Sequence, residues 1–404
     1  MKKGWKIKKI GDICGLMTGG TPSRSKPEYF TNGKIRWLVS GDIHQKEIFD
    51  CEGRITDEGA QNSSAKYLPV NSVLMALNGQ GKTRGTVALL RTKATCNQSL
   101  VSIYPKDVTE LMPEFLYHNL NGRYEEIRKI TGDDNKDRRG LNMPLIRNIE
   151  IPIPPLPEQQ QIVSLLDEAF ESIAGAKVNA ERNLVNAREL FESVLESVFD
   201  NPHKGWKKTT IGDEISLFTG FPFKSNRYVE DGIRLIRGDN IIQGSLRWDD
   251  VKKWNKSEYS EYSTYALQEG DLVLAMDRPW VKAGLKYAMI SKSDLPSLLV
   301  QRTACLRSGK NLINPFLRYI IRSQNFIKHI LGVQTGIGVP HISGGQIKDF
   351  EFHLPPLAEQ RAIVARLDVL SGETKKLEGI YEQKIDALEE LKKSVLGKAF
   401  EGEM

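Results

Sequence analysis

The feature that most constrains this chain is a repeat. Gly4-Trp5-Lys6 returns as Gly205-Trp206-Lys207, Ile10-Gly11-Asp12 as Ile211-Gly212-Asp213, and Thr18-Gly19 as Thr219-Gly220, all at an offset of 201 residues. The same offset relates Pro154-Pro155-Leu156-Pro157-Glu158-Gln159 to Pro355-Pro356-Leu357-Ala358-Glu359-Gln360, and Ser193-Val194-Leu195 to Ser394-Val395-Leu396. Chance produces one such pair, but not a register held over half of 404 residues. A chain built this way repeats one supersecondary frame, so its architecture follows from a single copy.

Each copy has two parts. Residues 1–155 and 201–355 hold short β-rich runs broken by Gly, Pro, Asn and Asp, among them Ile35–Val39, Ser72–Leu77, Thr86–Leu90, Leu100–Tyr104, Leu272–Met276 and Thr303–Leu306. Helical stretches follow near Phe115–Ile130 and Phe316–Ile330, giving two mixed α+β domains. Residues 156–200 and 356–404 read as long helices. In the first, apolar or small residues fall at Ile162, Leu166, Ala169, Ile173, Ala176 and Ala180, slip by one at Leu184, and resume at Ala187, Phe191, Val194 and Val198. In the second they fall at Ile363, Leu367, Leu370, Thr374, Leu377 and Tyr381, and slip at Ile385 before Leu388. Sustained 4-3 spacing predicts coiled coil, and the slip shared by both copies is a stutter.

Charge separates the two kinds of part. Residues 1–155 carry 24 Lys+Arg against 17 Asp+Glu, and 201–355 carry 22 against 15; the helical stretches are acidic, with 3 against 9 and 8 against 10. Basic domains held by acidic helices suggest polyanions for the domains and protein partners for the helices. The loops sharpen this. Arg24 and Lys26 sit in a Gly-flanked, hydroxyl-rich turn suited to phosphate oxygens, and Lys136, Arg138 and Arg139 form another basic loop. Asn78, Gln80, Lys82 and Arg84 lie between two strand-like runs and are of the types that pair with purine edges. The second copy offers Arg278, Trp280 and Lys282 instead. Taken singly, each loop reads equally well as a solvated turn; together they favour contact.

A catalytic centre is not legible. Gly81-Lys82-Thr83 resembles the end of a P-loop, but Ala76 stands where that motif needs glycine. There is no H-E-x-x-H, no G-x-S-x-G, and no Asn/Asp-Pro-Pro-aromatic motif of a DNA methyltransferase. Cys14, Cys51, Cys96 and Cys305 are scattered without metal spacing, which fits a reducing cytoplasm. No apolar run approaches a membrane span, and the basic N-terminus lacks a signal-peptide core.

The Trp-Lys…Ile-Gly-Asp opening, the run Thr18-Gly19-Gly20-Thr21-Pro22-Ser23 with Ile35-Arg36-Trp37 and Gly41-Asp42-Ile43, and the doubled Pro-Pro-Leu-x-Glu-Gln resemble type I restriction–modification specificity subunits over the whole chain. The second copy departs from the pattern, with Thr219-Gly220-Phe221-Pro222-Phe223 in place of Thr-Gly-Gly-Thr-Pro-Ser. The resemblance implies two target-recognition domains, 1–155 and 201–355, separated by two long helices, 156–200 and 356–404, that form an antiparallel coiled coil. It implies a non-catalytic reader of double-stranded DNA in a bacterial or archaeal cytoplasm, each domain binding half of a bipartite, asymmetric site. The helices would set the spacer and dock two copies of a modification (methyltransferase) subunit, with Glu158, Gln159, Glu359 and Gln360 at the helix starts or partner contacts. Motor-nuclease restriction subunits would join for cleavage. S-adenosylmethionine, ATP and Mg²⁺ would sit on those partners, with no cofactor or metal on this chain. A tandem-repeat interaction scaffold and a self-sufficient DNA-modifying enzyme are the other classes considered. The first would show no salt-dependent DNA binding; the second would act on DNA alone.

Overall fold

In the computed structural model, described here for residues 4–79, 82–131, 140–335 and 339–402, the two copies build the same sheets in the same order. The first five-stranded sheet runs Cys14–Thr18, Leu100–Pro105, Val73–Ala76, Val87–Leu90, Glu47–Ile48. The second runs Ile215–Thr219, Thr303–Ser308, Leu272–Ala275, Tyr287–Met289, Gln243–Gly244. The central strands, Val73–Ala76 and Leu272–Ala275, are buried along their whole length. That burial explains why they read as unbroken apolar runs instead of alternating ones. Each copy adds a three-stranded sheet, Arg54–Ile55, Ile35–Leu38, Thr95–Cys96 and Lys252–Trp254, Ile233–Ile236, Ser297–Leu299. Each also pairs its first and last strands, Lys6–Lys9 with Glu150–Ile153 and Lys207–Thr210 with Glu351–Leu354. The four cysteines are free and buried, and burial pushes the Cys14 and Cys96 thiols up to about 12.

The helical stretches expected near residues 115–130 and 316–330 are each two helices, Pro113–Gly122 with Tyr124–Lys129 and Asn314–Arg322 with Gln324–Val333. The second break has a local cause: the Ser323 hydroxyl accepts from the Phe326 amide and starts a new helix.

The long helices span Leu156–Asp200 and Leu357–Glu401, 45 residues each, or about 68 Å at a rise of ~1.5 Å per residue. They are called here the central and C-terminal helices. Ile162, Leu166, Ile173, Ala180, Ala187 and Phe191 are buried as the 4-3 spacing requires, and so are Leu367 and Thr374. Leu377 departs from its seam position and is 38% exposed. The chain divides into two compact units that cut both helices: residues 1–181 with 382–404, and residues 182–381. Each unit is a mixed domain, the near half of its own long helix and the far half of the other. In unit one Leu396 and Ala399 of the C-terminal helix join the core of Ile10, Phe115 and Leu166; in unit two Phe191 and Leu195 of the central helix join that of Ile211, Phe316 and Leu367. In unit one, Lys177 meets Glu389 at 2.5 Å and the Lys392 ammonium lies 5.4 Å from the Phe170 ring centre, so the helices run antiparallel. No helix among the described residues is long and apolar enough to cross a membrane.

Candidate nucleic-acid interface

The two divergent loops leave equivalent central strands and are fastened in the same way. In unit one the Leu141 amide donates to the Leu77 carbonyl at 2.9 Å and the Ala76 amide to the Thr86 carbonyl at 3.0 Å. In unit two the Ile342 amide donates to the Met276 carbonyl at 2.9 Å and the Ala275 amide to the Lys286 carbonyl at 3.0 Å. Just past each fastening the backbone turns left-handed, at Gly79 (φ +140°) and at Arg278 (φ +45°). Glycine takes such a φ without strain, whereas arginine does not.

Side chains hold the second loop. Asp277 accepts from the Arg302 guanidinium at 3.0 and 3.1 Å, and its Oδ1 lies 2.6 Å from His341 Nδ1. The Arg278 amide donates to the Pro340 carbonyl at 2.7 Å. The chain then forms a tight hairpin, Trp280 paired with Leu285 and Val281 with Gly284, with Lys282 and Ala283 at its tip. Arg278 and Lys282 are exposed, and Trp280 is 37% exposed. The expected trio therefore shares one braced loop. Burial, opposed in part by Asp239, holds the Lys286 ammonium below its usual range, with Arg247 and Arg278 adding to the effect. Arg247 escapes sequence reading because only folding brings it to the loop.

The first loop is different. Asn78 and Lys82 are exposed, and His44 Nε2 lies 3.2 Å from Thr83 Oγ1, joining the loop to the Ser40–His44 turn. A Cβ on Gly140 would fall 1.8 Å from Asn78 Oδ1, so that close approach requires glycine. Arg84 does not present its side chain as expected: it is 6% exposed. The left-handed turn at Gly85 (φ +83°) carries the chain back against Tyr124 and Ile127, which turns this end of the loop inward. Gln80, Lys136, Arg138 and Arg139 lie outside the described residues. Arg24 is exposed, and Lys26 Nζ donates to the Tyr29 hydroxyl at 3.0 Å.

The doubled helix start has a structural explanation. The Trp5 indole N–H donates to Glu158 at 3.1 Å and the Trp206 indole to Glu359 at 3.0 Å, which ties the two most conspicuous repeated motifs together. Gln159 is 0% exposed: its Oε1 accepts from the Met112 amide at 2.9 Å, and its Nε2 donates to the Glu110 and Pro154 carbonyls at 2.8 and 2.9 Å. Gln360 does the same for the Ile313 amide and the Asn311 and Pro355 carbonyls, at 3.1, 2.7 and 2.8 Å. These glutamines are internal clamps between helix and domain. Of the two roles expected for them, helix start fits and partner contact does not, because no surface is left to touch.

Between domain and long helices each unit has a groove, about 630 Å³ in unit one and 690 Å³ in unit two. Asp167 and Asp368 occupy the same place in both, but Asp167 lies 3.3 Å from His118 Nε2 whereas Asp368 accepts from the Tyr319 hydroxyl at 2.5 Å and from Arg318. In unit two the Trp280 hairpin forms one wall. His118 is 2% exposed, and burial, only partly opposed by Asp167, lowers its imidazole pKa. Unfolded chain therefore takes up the proton first as pH falls below about 6.5. Unit one is expected to keep this stability above that pH and to lose it progressively toward the lowered folded value. Urea melts at pH 7 and 5.5 should show the loss, and His118→Phe should flatten it; Tyr319 gives unit two no such dependence.

A family described as "Type I restriction modification DNA specificity domain" matches residues 2–181 and 203–389. The chain is similar to the Type I restriction enzyme EcoAI specificity subunit of Escherichia coli, 39% identical over 186 residues, 46% of this chain and under a third (31%) of that protein. Its likeness to the MjaVIII specificity subunit of Methanocaldococcus jannaschii is 24% over 99% of this chain and 93% of the other. Among solved structures, it shares its fold with a chain from work on "complex assembly and conformational transition of the type I R-M system" (TM-score 0.77, 18% identity, 100% of this chain and 99% of that one). The HsdS subunit of Thermoanaerobacter tengcongensis superposes with a TM-score of 0.66 at 18% identity, covering 100% and 98%.

Proposed function

Because the chain belongs to the type I restriction–modification DNA specificity family, matched in both repeats, we propose that it is the non-catalytic subunit that gives such an enzyme its DNA sequence. Each mixed domain reads one half of a bipartite, asymmetric site. The observation that carries this reading is one frame used twice with two different loops: equivalent strands, equivalent fastenings, and then Asn78 and Lys82 in one copy against Arg278, Trp280 and Lys282 in the other. Arg24 and Lys26 serve phosphates, together with Lys136, Arg138 and Arg139. The long helices separate the half-sites and hold two modification subunits, since a doubled frame offers the same docking surface twice. S-adenosylmethionine, ATP and Mg²⁺ act on those subunits and on the motor-nuclease subunits, in a bacterial or archaeal cytoplasm.

The direct experiment maps modified adenines in a methylation-deficient host carrying the partner methyltransferase, with and without this chain. Methylation at two unlike half-sites across a fixed gap, only when the chain is present, is the expected result. No chain-dependent methylation with the methyltransferase of the same operon would remove the reading. Deleting matched turns from both long helices is expected to change the gap and leave the half-sites intact. A change in the half-sites themselves would show that the helices are not the ruler.

A further inference from the structure

Two interhelical ion pairs, one within each unit, occupy equivalent positions of the repeat, yet their charges are sorted by helix. Position 177 of the first copy is 378 of the second, and 188 is 389. In unit one Lys177 meets Glu389 at 2.5 Å; in unit two Arg188 meets Glu378 at 2.9 Å. Both cations are on the central helix and both anions on the C-terminal helix.

We infer that this sorting makes the central helix choose the C-terminal helix of its own chain and reject the central helix of a second copy. Two central helices in the same register would set Lys177 against Arg188 twice. That is like-charge repulsion at flanking positions, which decide partner choice in coiled coils. Two C-terminal helices would set Glu378 against Glu389, also repelling. The mixed pair alone matches in charge. Synthesis order gives the device a purpose: the central helix is complete at Asp200, long before the C-terminal helix begins at Leu357. During that interval other copies of the central helix are the competing partners. Rejecting them keeps two unlike domains on one molecule, whichever bases those domains read.

The test uses the full chain carrying Asn183→Cys, an exposed position beside the midpoint of a central–central pair, against a background of buried native cysteines. Lys177→Glu with Glu389→Lys retains both ion pairs within a chain, one of them reversed. It also turns the cation–cation clash between copies into opposite-charge pairs. Arg188→Glu with Glu378→Lys does the same from unit two. Each form is refolded from denaturant at rising concentration and treated with a bis-maleimide. Both exchanged forms are expected to give about tenfold more cross-linked dimer than the parent, the size that two flanking pairs changed from repulsive to attractive should produce. If one form does not refold, the other decides. Equal dimer in parent and exchanged chains would overturn the inference, as would abundant cross-linking of the parent at low concentration.

Discussion

Replacing Gln159 with alanine is expected to destabilise unit one by about 3 kcal/mol, and replacing Gln360 should do the same to unit two, because each leaves one buried carbonyl and a part-buried amide and carbonyl without their side-chain partner. No water can reach the vacated positions at the outset, since both side chains are 0% exposed. The bonds also cross from the helix start to segments 47 and 49 residues away in sequence, so their loss loosens the seat of the long helix on its domain. Denaturant melts of the two single variants measure the effect. Glu158→Gln or Glu359→Gln should do far less, since either keeps an acceptor for the tryptophan indole at a partly exposed site. A loss under 1 kcal/mol for both glutamine variants would show that the helix start is held by apolar packing alone.

Replacing Arg278 with alanine is expected to weaken binding to the cognate DNA by about 1–3 kcal/mol and to relax one base pair of the second half-site, the behaviour of an arginine that pairs bidentately with guanine. An unchanged sequence preference would take Arg278 out of base reading. Its backbone adds a second expectation. A non-glycine residue at φ +45° is strained by about 1 kcal/mol or more, so Arg278→Gly should raise folding stability by about that amount while weakening DNA binding as Arg278→Ala does. Asp277, His341 and Arg302 brace the loop beneath this strained, exposed residue. Melts and binding titrations on the two variants, at one fixed salt concentration, separate the effects.

The architecture was legible because it is written in periodicities. A constant offset reveals the doubled frame, unbroken apolar runs such as Val73–Ala76 mark strands buried on both faces, and a 4-3 spacing with a shared slip marks two long helices. Each is a property of neighbours along the chain. The type of residue in the divergent loops was legible too, since loop composition needs no fold to be read. Orientation was not. Lys82 and Arg84 are two residues apart in one basic loop, yet one is exposed and the other 6% exposed, because the turn at Gly85 carries the chain back onto the helix behind it. Glu158 and Gln159 look alike as polar residues at a helix start, but the partners that make Gln159 internal are carbonyls and an amide from elsewhere in the domain.

The doubled frame, the element types and the chemistry of the loops follow from spacing and composition along the chain. Which of those side chains face outward and which lock the frame depends on how the chain folds. Burial and hydrogen bonding are settled by groups brought together across the sequence: His44 with Thr83, Asp277 with His341, Lys177 with Glu389.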